Sequence, residues 1–139
     1  MITQSLPGIT SLGYVPSERL QRQIMQKALA GLPVGVFTDI APINFVGVPT
    51  CVTQSDYDNN GRLEKASLKF VTNDNIPIYK DIAFVLTDSN GKSWLLGTKE
   101  RPRPIIRIER STGTPEGDGN AFSFEVSLYA HKALIECQI

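Results

Sequence analysis

The sequence has few of the residues that build disulfide frameworks, metal centres or nucleophilic sites. It contains two cysteines, Cys51 and Cys137, and one histidine, His131, in 139 residues. Two cysteines are too few for a disulfide-rich secreted scaffold, and no CxxC or Cys/His spacing supports a zinc site. Their separation along the chain leaves open whether they pair. We interpret them as small buried hydrophobic residues, because free cysteine is often buried.

The sequence also lacks an excess charge of one sign and a long apolar run. It carries 14 Lys and Arg against 14 Asp and Glu, so the formal net charge is zero. Nucleic-acid-binding proteins usually show a basic excess, and we therefore expect no direct nucleic-acid contact. No segment reaches the length of about 18 apolar residues that spans a bilayer. Residues 1–15 show no basic region followed by an apolar run, so we expect neither a signal peptide nor a membrane partner.

Most of the chain consists of short β-type runs separated by Gly, Asn, Asp and Pro. In the clearest run, from Phe122 to Tyr129, every second residue is apolar, which is typical of a strand buried on one face. Asp88 to Gly91 predicts a hairpin turn. About seven or eight such runs predict a mostly β fold, an antiparallel β-sandwich or barrel. No strand–helix–strand alternation supports a parallel α/β sheet.

The N-terminal part predicts an arm and one short helix. Residues 1–16 contain Pro7 and Pro16 and predict an irregular arm, and we expect residues 17–139 to form a single β-rich domain. The arm has apolar residues that either dock on a neighbouring subunit or pack on the protein's own core: Ile9, Leu12 and Val15.

Residues 17–30 carry the one amphipathic helix pattern. Ser17 is a favourable first cap, and Leu20, Ile24 and Ala28 follow at helical spacing. We expect the apolar stripe to pack on a sheet, although it also suits a partner chain.

The segment from Asp56 to Gly61 has the opening pattern of a calcium loop, with oxygen-bearing side chains at alternate positions before a glycine. The twelfth position of such a loop should be a bidentate carboxylate, but here it is Ser67. We interpret the segment as an Asn-Gly turn between two strands, with calcium binding as the alternative.

Two segments are candidate protein-interaction elements. The run from Lys99 to Arg110 is basic and proline-rich, and is either a solvated edge strand or a binding strip. The glycine-rich segment 111–120 lacks the helix or the Lys-Ser/Thr pair of a phosphate-binding loop, and predicts a flexible loop. The candidate contact residues in these segments are Arg101, Pro102, Arg103, Pro104, Arg107, Glu116 and Asp118.

Catalysis of the Ser–His–acid type would have to use His131, and no GxSxG motif accompanies it. We therefore predict no enzymatic activity, no catalytic residue, no metal and no cofactor.

Three stretches resemble a known group of proteins: YDNNGRLEKASLKF, IAFVLTDSNGKSWLLGTKERPRP and GTPEGDGNAFSFEVS. They resemble small tail- and neck-module proteins of tailed bacteriophages and prophages of Bacteroides-type bacteria, over roughly residues 34–135. The resemblance implies a structural subunit that assembles in the bacterial cytoplasm into a virion or related particle. Its implied partners are copies of itself or other particle subunits. The group supplies no active-site residues to carry over.

The alternative function is a small β-module that binds calcium or carbohydrate. Trp94 and Tyr129 are the candidate sugar-stacking residues, although we favour core packing or a cross-strand aromatic contact as the explanation for both.

Overall fold

The computed structural model describes residues 2–5, 8–36, 39–58, 61–73, 76, 81–99, 103–111 and 121–138. It contains a short 3-10 helix, Ser17–Arg19, and one α-helix, α1, Ile24–Leu29. The strands are β1 Ile2–Ser5, β2 Ile9–Pro16, β3 Ala41–Pro42, β4 Phe45–Asp58, β5 Gly61–Thr72, β6 Ile82–Asp88, β7 Ser93–Leu96, β8 Ile105–Ser111, β9 Ala121–Ala130 and β10 Ile135–Cys137.

The strands form two five-stranded antiparallel sheets. The first sheet has the order β1-β4-β5-β9-β8, and the second has the order β10-β7-β6-β2-β3. The predicted class, a mostly β antiparallel sandwich or barrel with one short N-terminal helix, is confirmed, and of the two alternatives the sheets form a sandwich. The described residues hold ten strands rather than the predicted seven or eight, because β1 and β2 lie in the segment expected to be irregular.

The main core lies between the two sheets. Alternate residues of β5 and β9 point inward, as the period of two in their sequence predicts, and Phe70 stacks on Phe124 with ring centroids 5.0 Å apart. From the second sheet, Phe84 and Leu86 enter the same core. The hydrophobic burial of these side chains is what holds the sheets together.

A second core lies on the opposite face of the second sheet. Ala83 and Val85 of β6 point away from the first sheet and pack against residues of the segment that contains α1, including Leu20 and Ile24. This arrangement explains why β6 reads as an unbroken apolar run instead of alternating, since both of its faces are covered. The segment that contains α1 is thus a third layer.

The expectation of an irregular N-terminal arm is wrong for residues 9–16. These residues form β2, which pairs with β6 from Ile9 to Pro16 and bears one register shift after Ile9. Ile9 and Leu12 are buried in the main core, and Val15 is buried in the second core. The three side chains are therefore buried in the protein's own cores, and they form no docking surface for a neighbouring subunit.

The predicted helix over 17–30 is much shorter in the structure. Gln23 has a left-handed backbone conformation with φ of 63°, so regular helix begins only at Ile24. The apolar stripe still packs as predicted, because Leu20, Ile24 and Ala28 are all buried against the second sheet. The stripe is therefore covered by its own sheet.

Candidate functional site

In the described part of the chain, the third layer packs on the second sheet, and the outer face of the first sheet carries exposed side chains. Strand alternation turns Lys65, Lys69, Glu125 and Arg107 outward on β5, β9 and β8. Several apolar residues of this sheet are also exposed, including Val48 at 79%, Ile105 at 60% and Tyr129 at 50%. A face with this composition is suited to contact with another molecule.

Three exposed apolar residues cross this face diagonally. Lys65 of β5 lies directly opposite Tyr129 of β9. Leu63, two residues before Lys65 and on the same face, is therefore a diagonal neighbour of Tyr129. On the other side of β9, Ile105 of β8 lies directly opposite Ser127, which is two residues before Tyr129. Ile105 is therefore also a diagonal neighbour of Tyr129. Diagonal neighbours on one sheet face are within reach of large side chains. Leu63, Tyr129 and Ile105 therefore form an apolar diagonal across three adjacent strands.

A shallow depression of about 330 Å³ lies beside this diagonal. It is mainly polar and is lined by Thr50, Val52, Gln54, Lys65, Ser67, Lys69 and Glu125. Glu125 pairs with Lys69 on one side and with Arg107 on the other. This row therefore carries two cations around one anion.

Lys65 connects the depression to the apolar diagonal. Its Nζ atom lies 5.3 Å from the centroid of the Tyr129 ring, which is within the range of a cation–π interaction. At exposed sites such a contact contributes roughly 0.5–1 kcal/mol. The pair presents one aromatic face and one cation at the same place.

The residues predicted for the basic, proline-rich strip have different environments. Arg103 forms an ion pair with Asp81 at 3.1 Å and donates to the carbonyl oxygen of Lys99 at 3.2 Å. Arg103 thus has partners within its own chain. Arg107 is exposed on the outer face, opposite Glu125.

Other predicted contact residues lie outside the described residues: Arg101, Pro102, Glu116 and Asp118. Pro104 is half-buried and packs closely over Gly97. Of the predicted strip, the structure therefore leaves Arg107 as the exposed candidate on β8.

Trp94 does not present its ring as a sugar-stacking surface. It is partly buried and packs against the main core, and its indole nitrogen donates to Oδ2 of Asp88 at 3.0 Å. Core packing therefore explains Trp94, whereas Tyr129 is half exposed on the outer face.

Cys51 and Cys137 are buried, as predicted, and both are free thiols. Burial raises the pKa of Cys51 to about 12. Burial, followed by the nearby charge of Glu136, raises the pKa of Cys137 to about 11. Neither residue has the low pKa of a reactive thiol.

The candidate calcium segment lies at the end of the β4–β5 hairpin, where Asp58 pairs with Gly61. The strands flanking the connection agree with the predicted turn, and residues 59 and 60 lie outside the described residues. Among the described residues, no group of three or more His, Cys, Asp or Glu side chains is placed to hold a metal ion. Likewise, no helix in the described part of the chain is long and apolar enough to span a membrane.

Sequence reasoning did not identify the depression. Its residues come from β4, β5 and β9, and only the strand register brings Lys69 next to Glu125. The outward alternation of Lys65, Ser67 and Lys69 was the available signal, but such a pattern is shared by most solvated strand faces.

Comparisons with protein-family models, with curated proteins and with solved structures found no match for this chain.

Proposed function

We propose that the protein is a non-enzymatic structural subunit that acts by associating with copies of itself or with other subunits. The observation that carries this proposal is the exposed apolar diagonal of Leu63, Tyr129 and Ile105 on the outer face of the first sheet. Single exposed apolar residues are common on monomers. Here three of them lie next to one another on three adjacent strands, which favours a protein contact.

The composition of this face also suits association. The apolar diagonal adjoins a charged row in which Glu125 lies between Lys69 and Arg107. Protein interfaces commonly combine apolar and aromatic contacts with a polar rim. Charged rows of this kind contribute to the register and choice of partner more than to affinity.

The kind of assembly is taken from the sequence resemblance. Tail- and neck-module proteins of tailed bacteriophages or prophages are structural components, and a β-sandwich subunit suits such a role. On this proposal the chain assembles in bacterial cytoplasm and ends in a virion or phage-like particle. Contacts between different patches on successive copies would build a ring or tube.

Fractionation of a native lysate tests the proposal. We expect antibodies to detect the chain, in a lysate of the cells that naturally produce it, in particle-sized fractions of a sucrose gradient. These fractions sediment much farther than a free 15.3 kDa protein. A monomeric globular marker protein of similar mass to the 15.3 kDa chain, run on a parallel gradient, marks the unassembled position. Native protein found entirely at that position, under conditions in which particles are being made, would overturn the proposal.

A second candidate function is binding of a carbohydrate. The half-exposed ring of Tyr129 beside the polar depression favours it, because sugars combine an apolar face with hydroxyl groups. A carbohydrate that binds there should raise the melting temperature of the protein. The Tyr129→Ala variant should lose this stabilisation, while Trp94→Phe should retain it.

A further inference from the structure

We infer that β8 pairs in antiparallel orientation with β8 of a second copy of the chain. The two-fold axis lies midway between the two copies of Ile108. The inference rests on the proposed function and names one partner for it. It follows from the open edge of β8 and from the order of charges along this strand.

β8 is the last strand of the first sheet. Its register partner is β9, and no strand lies beyond it in the described part of the chain. An edge strand presents unpaired backbone N–H and C=O groups at alternate residues, which are able to pair with another strand. Pro104, immediately before β8, has no N–H to donate and limits such pairing to the strand itself.

The order of side chains restricts how two β8 strands can pair. Directly opposite residues of an antiparallel pair point to the same sheet face. The two-fold axis must therefore relate a residue of β8 to the same residue of the second copy. An axis placed between two successive residues would set an outward-facing side chain opposite an inward-facing one. β8 runs from Ile105 to Ser111, and Ile108 is its midpoint. An axis at Ile108 pairs the whole strand.

The same register pairs opposite charges. With the axis at Ile108, Arg107 lies opposite Glu109 of the second copy, and Glu109 lies opposite its Arg107. Both residues are exposed on the outer face. An axis at Arg107 would instead oppose two arginines, and an axis at Glu109 would oppose two glutamates, which is unfavourable for directly opposite positions. Of the registers centred on residues 107, 108 and 109, the charge pattern therefore favours the one at Ile108, which is also the one that pairs the whole strand.

Apolar residues at the edge also favour this contact. Ile106 and Ile108 are only partly buried, although they pack against the main core. A second β8 would cover the side of these residues that the sheet edge leaves open. The two first sheets would then form one continuous sheet of ten strands across an isologous interface.

Sedimentation velocity with charge-reversal variants of the full chain tests the inference. We expect the wild-type chain to form a dimer of twice 15.3 kDa. Arg107→Glu and Glu109→Arg should each weaken dimerisation by at least about tenfold, because symmetry makes either change create two like-charged pairs. The double variant Arg107→Glu/Glu109→Arg restores opposite pairs in reversed order, and should recover the dimer.

Arg22→Glu is the matched control. It makes the same substitution as Arg107→Glu at an exposed position just before α1, outside the first sheet. It should leave the dimerisation constant unchanged, and thermal melts will show that each variant is folded.

A wild-type chain that stays monomeric at every concentration would overturn the inference. So would a double variant that dimerises no better than the single variants, or single variants that dimerise like the wild type. None of these results decides the proposed function, because the lysate fractionation detects association through any surface.

Discussion

Trp94 donates a hydrogen bond from Nε1 to Oδ2 of Asp88, 3.0 Å away, across the turn that joins β6 to β7. The other oxygen, Oδ1, accepts backbone N–H bonds from Asn90 at 2.9 Å and Lys92 at 3.0 Å. The bond from Trp94 is the largest cause that lowers the pKa of Asp88 below its ordinary 3.8. One ionised carboxylate therefore holds both the turn and the tryptophan.

This carboxylate should make the stability of the protein depend on pH in the acid range. Because the pKa of Asp88 is lower in the folded state, its ionisation stabilises the fold above the unfolded pKa, and this contribution is lost as the pH falls through the folded pKa. We expect Asp88→Asn to lower the melting temperature at pH 7, with a difference that shrinks below about pH 4. Glu18→Gln, at an exposed position, is the control. A difference that grows on acidification would contradict the assignment.

Inward and outward positions of β9 should respond differently to the same substitution. Phe124 is buried and stacks on Phe70, whereas Glu125 lies on the outer face. We expect Phe124→Ser to lower the free energy of unfolding by about 3 kcal/mol or more, and Glu125→Ser to change it by less than about 0.5 kcal/mol. Urea denaturation measures both values. Equally mild effects would contradict the inward assignment of Phe124.

The two thiols should be protected in the folded protein. Burial raises the pKa of Cys51 to about 12 and that of Cys137 to about 11, so little thiolate is present at pH 8. We expect slow reaction with a chromogenic disulfide reagent in buffer, and rapid release of two equivalents in denaturant. Cys51→Ser and Cys137→Ser assign the phases. Fast reaction of either thiol in native buffer would show that its burial is wrong.

Substitutions at two glycines between β6 and β8 should distinguish the cost of backbone strain from the cost of a steric clash. Gly91 and Gly97 both have positive φ, at 81° and 111°. A Cβ atom on Gly91 would enter open space, whereas one on Gly97 would lie 2.9 Å from Cγ of Pro104 and 3.2 Å from Cβ of Ala83. We expect Gly91→Ala to cost about 1–2 kcal/mol from strain, and Gly97→Ala to cost about 1–3 kcal/mol more. Equal losses in urea titrations would mean that Pro104 does not pack on this turn.

The strands with a local signal were predictable from the sequence. The alternation from Phe122 to Tyr129 falls within β9, and the turn predicted at Asp88–Gly91 joins β6 to β7. Strict alternation predicts a strand directly because adjacent side chains point to opposite faces. The two cysteines were predicted as buried because their residue type favours burial.

β2 and the depression could not be predicted in the same way. Between Ile9 and Pro16, a register shift and Gly13 interrupt the alternation, and the strand is stabilised by a partner more than 60 residues away. The helix was overestimated because its apolar spacing is set by packing on the second sheet, although Gln23 breaks the backbone helix. The depression depends on the pairing of β5 with β9, which leaves no mark on either strand separately.

The pairing of β2 with β6 also limits the order in which the chain folds. Ile9 pairs with Asp88, so this contact closes a long loop, whereas the β4–β5 and β6–β7 hairpins close short ones and should form earlier. During synthesis β2 leaves the ribosome long before β6 exists. The apolar side chains of β2 are therefore exposed until β6 has been synthesised. During this interval a chaperone or an incorrectly paired strand can bind them.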